Sequence, residues 1–151
     1  MTAPADAIVV AAATTPAAMA IVVDIRRRVF GNEQRILLSR YEDPEDIFSY
    51  NVLAYVDGAA VGTGRLAPAF ERSGVPAITW IATLPAYRRM GVGREIVRAL
   101  VNEADARGYL KVYLNAQTYA QQLYADFGFQ PVGLPQTIHG IPHQGMVRRL
   151  G

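Results

Sequence analysis

Apolar and polar positions change period several times along the chain, and each change marks an element. Ala7 to Ala13 is a short apolar run that predicts a first strand. Thr15-Pro16 reads as a helix start, a hydroxyl cap followed by a proline whose missing N–H costs nothing at the first helical position. Met19, Val22, Ile25 and Val29 then recur at helical spacing and put one apolar stripe on the core. Gly31 or Asn32 is expected to break that helix. A second helical segment is predicted around Ile36 to Arg40, and Glu42-Asp43-Pro44-Glu45-Asp46 reads as a solvent-exposed acidic loop.

The middle of the chain has the pattern of strands. Tyr50 to Val56, Asp57-Gly58 and Ala59 to Leu66 form a hairpin signal, because Asp-Gly tolerates the positive φ of a tight turn. Ser73-Gly74 marks another turn, leading into a strand over Val75 to Leu84 that Pro85 should end. The period then becomes helical: Ile96, Val97, Leu100, Val101 and Ala104 share a face, with Gly108 just past the helix end. Leu110 to Leu114 is a strand, and Ala120 to Phe127 a shorter helix closed by Gly128. Phe129 to Val132 and Gly145 to Leu150 read as two strands joined by a Gly/Pro-rich loop. The order β-α-(α)-β-β-β-α-β-α-β-β describes a mixed α/β sheet.

Composition narrows the function classes. A length of 151 residues fits one domain spanning 1–151, and 51% apolar against 19% charged residues implies a packed globule. A net charge of +2, without aromatics interleaved among basic residues, argues against nucleic acid as a partner. With no cysteine, disulfides, thiolate metal ligands and cysteine nucleophiles are excluded, and no metal site is expected. Residues 1–23 contain Pro4, Asp6 and Pro16 and lack a basic start before an apolar run. No stretch reaches bilayer length, so a cytoplasmic protein without membrane contact is expected.

The chemistry concentrates in the strand–loop–helix unit from Ile78 to Arg107. Gly91 and Gly93 stand at the start of its helix, where unpaired N–H groups and a partial positive charge suit an anion. Arg88, Arg89 and Arg94 add charge at the same point, so a pyrophosphate fits there. Glycine spacing alone leaves open a mere packing role. Neither Gly-Lys-Ser/Thr nor G-x-G-x-x-G is present, which ranks a nucleotide-binding α/β protein last.

Arg88-x-x-Gly91-x-Gly93, preceded by Leu84-Pro85-x-Tyr87, resembles the acyl-CoA signature of the GNAT superfamily of N-acyltransferases, whose element order is also the one read above. Four further motifs resemble its ElaA-like branch: Ile25-Arg26-x-x-Val29-Phe30-x-x-Glu33-Gln34, Val61-Gly62-Thr63-Gly64-Arg65-Leu66, Leu114-Asn115-Ala116-Gln117 and Gly140-Ile141-Pro142-His143. The resemblance implies a mixed, mostly antiparallel sheet splayed at its centre with flanking helices. It also implies transfer of an acetyl group from acetyl-CoA to an amine. On that likeness, backbone groups of Ile81, Ala82 and Thr83 hold the pantetheine arm, and a strand N–H stabilises the oxyanion. Arg88, Arg89, Met90, Gly91, Val92, Gly93 and Arg94 form the pyrophosphate loop. Tyr124, in Leu123-Tyr124-x-x-Phe127-Gly128-Phe129, stands where the family's tyrosine protonates the departing thiolate, a step suited to a phenol. A core tyrosine among Ala120, Leu123 and Phe127 is the alternative. Gln117 is implied to hold the pantetheine or orient its loop.

An attacking amine must lose a proton. The ElaA-like motifs supply Glu33 and His143 as candidate bases, with a structural carboxylate and a hydrogen-bonding loop histidine as the alternatives. Arg26, Phe30, Glu33, Gln34 and His143 are implied on the acceptor side, while Arg27 and Arg28 read as a solvated helix face. His139 stands where the branch is often acidic and inherits no role. Trp80 and Thr83 replace the branch's common arginine and valine, and Trp80 is expected to reshape the acceptor pocket. The acceptor is expected to be a small-molecule or peptide amine; monomer and homodimer both stay open. The rival reading is a non-catalytic acyl-CoA sensor.

Overall fold

The computed structural model describes residues 7–68 and 74–150. Ser73, half of the expected Ser73-Gly74 turn, lies outside the described residues. Strand β1 is Ile8–Ala12. Helix α1, Pro16–Arg26, starts as expected, with the Thr15 hydroxyl accepting from the Ala18 N–H at 3.1 Å. It does not break at Gly31 but widens into a π-helix over Arg27–Glu33. Gly31 is needed there for another reason: a Cβ would collide with the Tyr41 hydroxyl. The segment around Ile36 to Arg40 is irregular rather than helical. Tyr41 holds it, donating to the Ile36 carbonyl at 2.8 Å and accepting from the Leu38 N–H at 3.3 Å.

The acidic run is a further correction. Pro44–Phe48 is a 3₁₀ turn opened by a capping box between Asp43 and Asp46. Asp43 and Asp46 turn inward to buried arginines instead of facing water.

Strands β2, Tyr50–Val56, and β3, Ala59–Ala67, form the expected hairpin about Asp57 (φ 49) and Gly58 (φ 82). There follow β4, Ala77–Thr83, and α2, Val92–Ala106. Next come β5, Lys111–Gln117, and α3, Gln121–Ala125. The chain closes with β6, Gln130–Pro131, β7, Gln136–Ile138, and β8, Ile141–Arg149. Strand β7 was not expected. The Gly/Pro-rich loop folds into a hairpin about His139 (φ 52) and Gly140 (φ 75).

Among the described residues the strands form one sheet in the order β1-β2-β3-β4-β5-β8-β6, with β7 on β8. All pairings are antiparallel except β4 with β5. The fold is thus the mixed, mostly antiparallel α/β sheet anticipated. Alternation along β2 sends Val52, Ala54 and Val56 to the face packed by Ile96, Val97 and Leu100 of α2. Leu53 goes to the other face, packed by Val22 and Ile25 of α1. Gly64 lets α2 approach closely, since a Cβ there would lie 2.6 Å from Ile96 Cγ2 and 2.8 Å from Ile81 Cδ1.

Two irregularities in β4 create the site. Thr63 pairs with Ala82 but Arg65 with Thr79, so β4 carries one extra residue opposite Gly64. Trp80 takes φ 58 at this bulge. As a result Thr79 and Trp80 both face the α1 side, where they meet Arg65 and Phe30, while Ile81 packs into the α2-side core. The second irregularity is that β4 and β5 share a single register pair, Ala77 with Tyr113. Beyond it the sheet splays.

Candidate active site

Beyond Ala77 the edge of β4 that faces β5 shares no further register pair among the described residues, so backbone groups along it are open to a ligand, except the Thr83 carbonyl, which accepts from Arg88 Nε. The splay encloses a cleft of about 750 Å³. Its lining runs from Arg89, Gly91, Val92, Gly93 and Arg94, past Ile81, Ala82, Thr83 and Tyr124, to Phe30, Gln34, Trp80, Gln117 and His143.

The loop before α2 has the geometry of an anion cradle. Arg89 (φ 64) and Gly91 (φ 91) are both left-handed with Met90 between them, and turns with left-handed residues are the kind that build concavities of backbone N–H groups. Gly91 caps α2 without any side-chain hydrogen bond, so the first-turn N–H groups remain available. A Cβ on Gly93 would meet only Leu123 Cδ2 at 3.8 Å and Thr83 Oγ1 at 3.9 Å. Its missing side chain therefore leaves space toward the cleft and relieves no clash.

The Acetyltransferase (GNAT) family model matches residues 18–129. The chain belongs to the GNAT acetyltransferase family. It is 34% identical to the UPF0039 protein sll0451 of Synechocystis over 138 residues, 88% of this chain and 87% of that protein. It is also similar to an acyl-CoA N-acyltransferase from Pseudomonas aeruginosa, with 26% identity and a TM-score of 0.80 over 93% of this chain and 97% of that one. Escherichia coli ElaA shares the fold at 23% identity, with a TM-score of 0.84 over 94% of this chain and 99% of that one. The ElaA-like architecture expected from the motifs is therefore present.

Most of the residues expected at a GNAT site come together. Tyr124 is buried against Phe129, with ring centroids 6.1 Å apart and an interplanar angle of 72°. Its hydroxyl has no hydrogen-bond partner among the described residues, and the residue lines the cleft. Burial, with a smaller contribution from Tyr119, pushes the phenol well above its ordinary range, so it stays protonated.

His143 lies opposite Gln117, where β8 pairs with the end of β5. Its Nδ1 is 2.7 Å from the Ile141 carbonyl. A carbonyl only accepts, so Nδ1 carries the proton and Nε2 of the neutral ring keeps its lone pair. Gln117 and Gln34 form a reciprocal amide pair, at 3.0 and 3.4 Å, that ties the π-helix to β5.

Three expected residues fall elsewhere. Met90 packs against the core beneath the loop and does not line the cleft. Glu33 is also off the lining, held by Arg88 through two hydrogen bonds of 2.5 and 2.6 Å. Hydrogen bonding from Arg88 lowers the Glu33 carboxyl; desolvation opposes it, and the Arg88 charge adds a smaller lowering. That makes it a weaker base. The same guanidinium donates from Nε to the Thr83 carbonyl at 3.1 Å. Arg26 cannot touch an acceptor at all. It is fully buried, paired with Asp46 at 2.8 and 3.0 Å and hydrogen-bonded to Asn51 and the Tyr41 carbonyl.

Arg26 instead supports the wall of the cleft. Its guanidinium carbon lies 4.8 Å from the Trp80 ring centroid. Phe30 meets the same ring edge-on at 5.3 Å and 73°, and the indole N–H donates to Asp43 Oδ2 at 3.3 Å. A positive φ on tryptophan costs about 1–2 kcal/mol, and these contacts hold it. Sequence reasoning overlooked Tyr113, Asn115, Tyr119 and Ile138 in the lining. The His139-Gly140 pair was the available signal for the hairpin that delivers Ile138. Among the described residues, no cluster of three or more His, Asp or Glu side chains could hold a metal, and no helix is long and apolar enough to cross a membrane.

Proposed function

We propose that this GNAT chain moves an acetyl group from acetyl-CoA to an amine by direct attack within one ternary complex. The reading is carried by one juxtaposition: the unpaired edge of β4, the N–H cradle before α2 and the unpartnered Tyr124 hydroxyl share a single cleft. Its likeness to a protein described as an acyl-CoA N-acyltransferase supports the same chemistry.

Backbone groups of Ile81, Ala82 and Thr83 pair with the amide-bearing pantetheine arm as they would with another strand. The N–H groups from Arg89 to Arg94 receive the pyrophosphate, with Arg89 and Arg94 adding charge. Acetyl-CoA supplies an activated thioester. A β4 N–H turned to its carbonyl stabilises the developing oxyanion by about 3 kcal/mol. The neutral amine nitrogen bonds to the acyl carbon as the C–S bond breaks. His143 Nε2 takes the amine proton, and Tyr124 delivers its phenolic proton to the leaving sulfur. Desolvation that raises the phenol raises a buried thiolate as well, so burial does not by itself widen the gap between the two groups. A solvent proton exchange from His143 to Tyr124 then restores both groups, leaving an amide and the free CoA thiol. The mechanism uses no covalent enzyme intermediate, and alignment of both reactants in one groove contributes to the rate.

Free-thiol release measured with a panel of amines tests this. Tyr124→Phe is expected to lower kcat about a hundredfold while leaving acetyl-CoA affinity within about twofold. A fully active variant would remove Tyr124 from the acid role. His143→Gln, which cannot take up a proton, is expected to lose about as much of kcat. Wild-type kinetics in that variant would free His143 from the base role. Acetyl-CoA binding without thiol release for any amine would turn the assignment to a sensor module.

A further inference from the structure

We propose that the acceptor is a primary amine on a flat apolar body, with the amine as its sole cationic group, and that Trp80 selects it. This rests on the transferase reading above and names its acceptor.

The side of the cleft toward α1 is built from Phe30, Trp80, Ile138, Gln34, Gln117 and His143. Trp80 cannot swing freely. Arg26, Phe30 and Asp43 each hold the indole, and the bulge places its backbone in a left-handed conformation. Such a wall is a rigid aromatic surface suited to a ring laid against it. The amide pair of Gln34 and Gln117 supplies neutral donors and acceptors beside it.

Charge selects against the other amine classes. No aspartate or glutamate lines the cleft among the described residues. Of the carboxylates grouped nearby, Glu33, Asp43, Glu45 and Asp46 already face arginines, while Glu42 is exposed and off the lining. Glu33 pairs with Arg88, Asp46 with Arg26 and Arg65, Asp43 with Arg65 and Trp80, and Glu45 faces Arg65 at 3.8 Å. A second ammonium on a polyamine or an aminoglycoside would find no carboxylate in the lining to receive it. A lone amine on an aromatic body avoids that cost. The apolar wall also favours the neutral form of that amine, which is the form that attacks.

Steady-state thiol release from acetyl-CoA with 2-phenylethylamine, spermidine, kanamycin and a lysine-containing peptide tests the proposal. 2-Phenylethylamine should show a kcat/KM at least about tenfold above each of the others. Trp80→Arg, which replaces the aromatic wall with a charged, flexible chain, should lower kcat/KM for 2-phenylethylamine at least about tenfold, mainly through KM. Acetyl-CoA affinity should stay within about twofold. Phe30→Ala should shift KM in the same direction, which keeps the test decisive if the tryptophan variant does not fold. Preference for spermidine, kanamycin or the peptide would overturn the proposal while leaving the transferase reading intact. An unchanged preference in a folded Trp80→Arg or in Phe30→Ala would remove these residues as selectors and overturn it too. Bound acetyl-CoA with no thiol release for any amine would sink both readings together.

Discussion

Gly91→Glu should bind acetyl-CoA at least about a hundredfold more weakly than the wild type, a loss of about 2.7 kcal/mol. Two effects add. The carboxylate would stand at the N-terminus of α2, beside the N–H groups that receive the pyrophosphate, and would both occupy and repel. Position 91 also has φ 91, a backbone conformation that side chains rarely adopt. Space is not limiting, because the nearest atom to an added Cβ is Ile8 Cδ1 at 3.9 Å. The chain should therefore still fold, with a melting temperature lowered by only a few degrees, about 2–4 °C per kcal/mol of strain. Gly91→Ala carries the conformational cost without the charge and should retain most of the affinity. Titration calorimetry on both variants separates the terms, and unchanged affinity in Gly91→Glu would displace the pyrophosphate from this loop.

Asp46→Asn should lower stability by about 3 kcal/mol, or roughly 10 °C in melting temperature. Asp46 is the shared partner of two buried arginines, contacting Arg26 at 2.8 and 3.0 Å and Arg65 at 3.0 Å. Removing its charge leaves buried Arg26 without a carboxylate partner among the described residues, and Arg65 with only Asp43 and Glu45, the circumstance in which breaking a buried pair is most damaging. Acid should act through the same group. Burial alone would raise the Asp46 carboxyl. Hydrogen bonds from Arg26 and the Asp43 N–H, the Arg26 charge and Arg65 outweigh it, and the folded value falls below the ordinary 3.8. Asp43 is lowered as well, its burial outweighed by the Glu45 N–H, Arg65 and Trp80. Both contributions are thus complete above the unfolded value and are lost as pH falls through the lower folded values. Thermal melts from about pH 5 to about pH 2.5 should show a steep decline for the wild type and a shallower one for Asp46→Asn. Equal slopes would place the acid sensitivity elsewhere.

Elements whose signals lie within a few consecutive residues were legible. The Thr15-Pro16 start, the Asp57-Gly58 hairpin and the helix end at Gly108 appear where the pattern put them, while α3 stops at Ala125 and reaches Gly128 through a turn. The segment from Ile78 to Arg107 is likewise a strand, a glycine-bearing loop and an amphipathic helix. Misreadings occurred where distant residues decide the local backbone. Gly31 looks like a breaker, but the chain turns through it as a π-helix with Tyr41 packed on it. The run from Glu42 to Asp46 looks solvated because like charges ordinarily are. Here two arginines from α1 and β3 reach it from beneath.

By itself the sequence determined the order of the main helices and strands, the glycine-bearing loop before α2 and the presence of a tyrosine near the end of α3, since each depends on neighbours in the chain. Only the tertiary structure decided that Arg26 supports a wall instead of binding an acceptor, that Glu33 answers to Arg88, and that a one-residue bulge turns Trp80 toward the cleft. The physical reason is separation. Arg26 and Asp46 are 20 residues apart, Trp80 and Asp43 37, and Arg88 and Glu33 55. No periodicity encodes such pairings, which form only when the sheet brings the partners together and excludes water from between them.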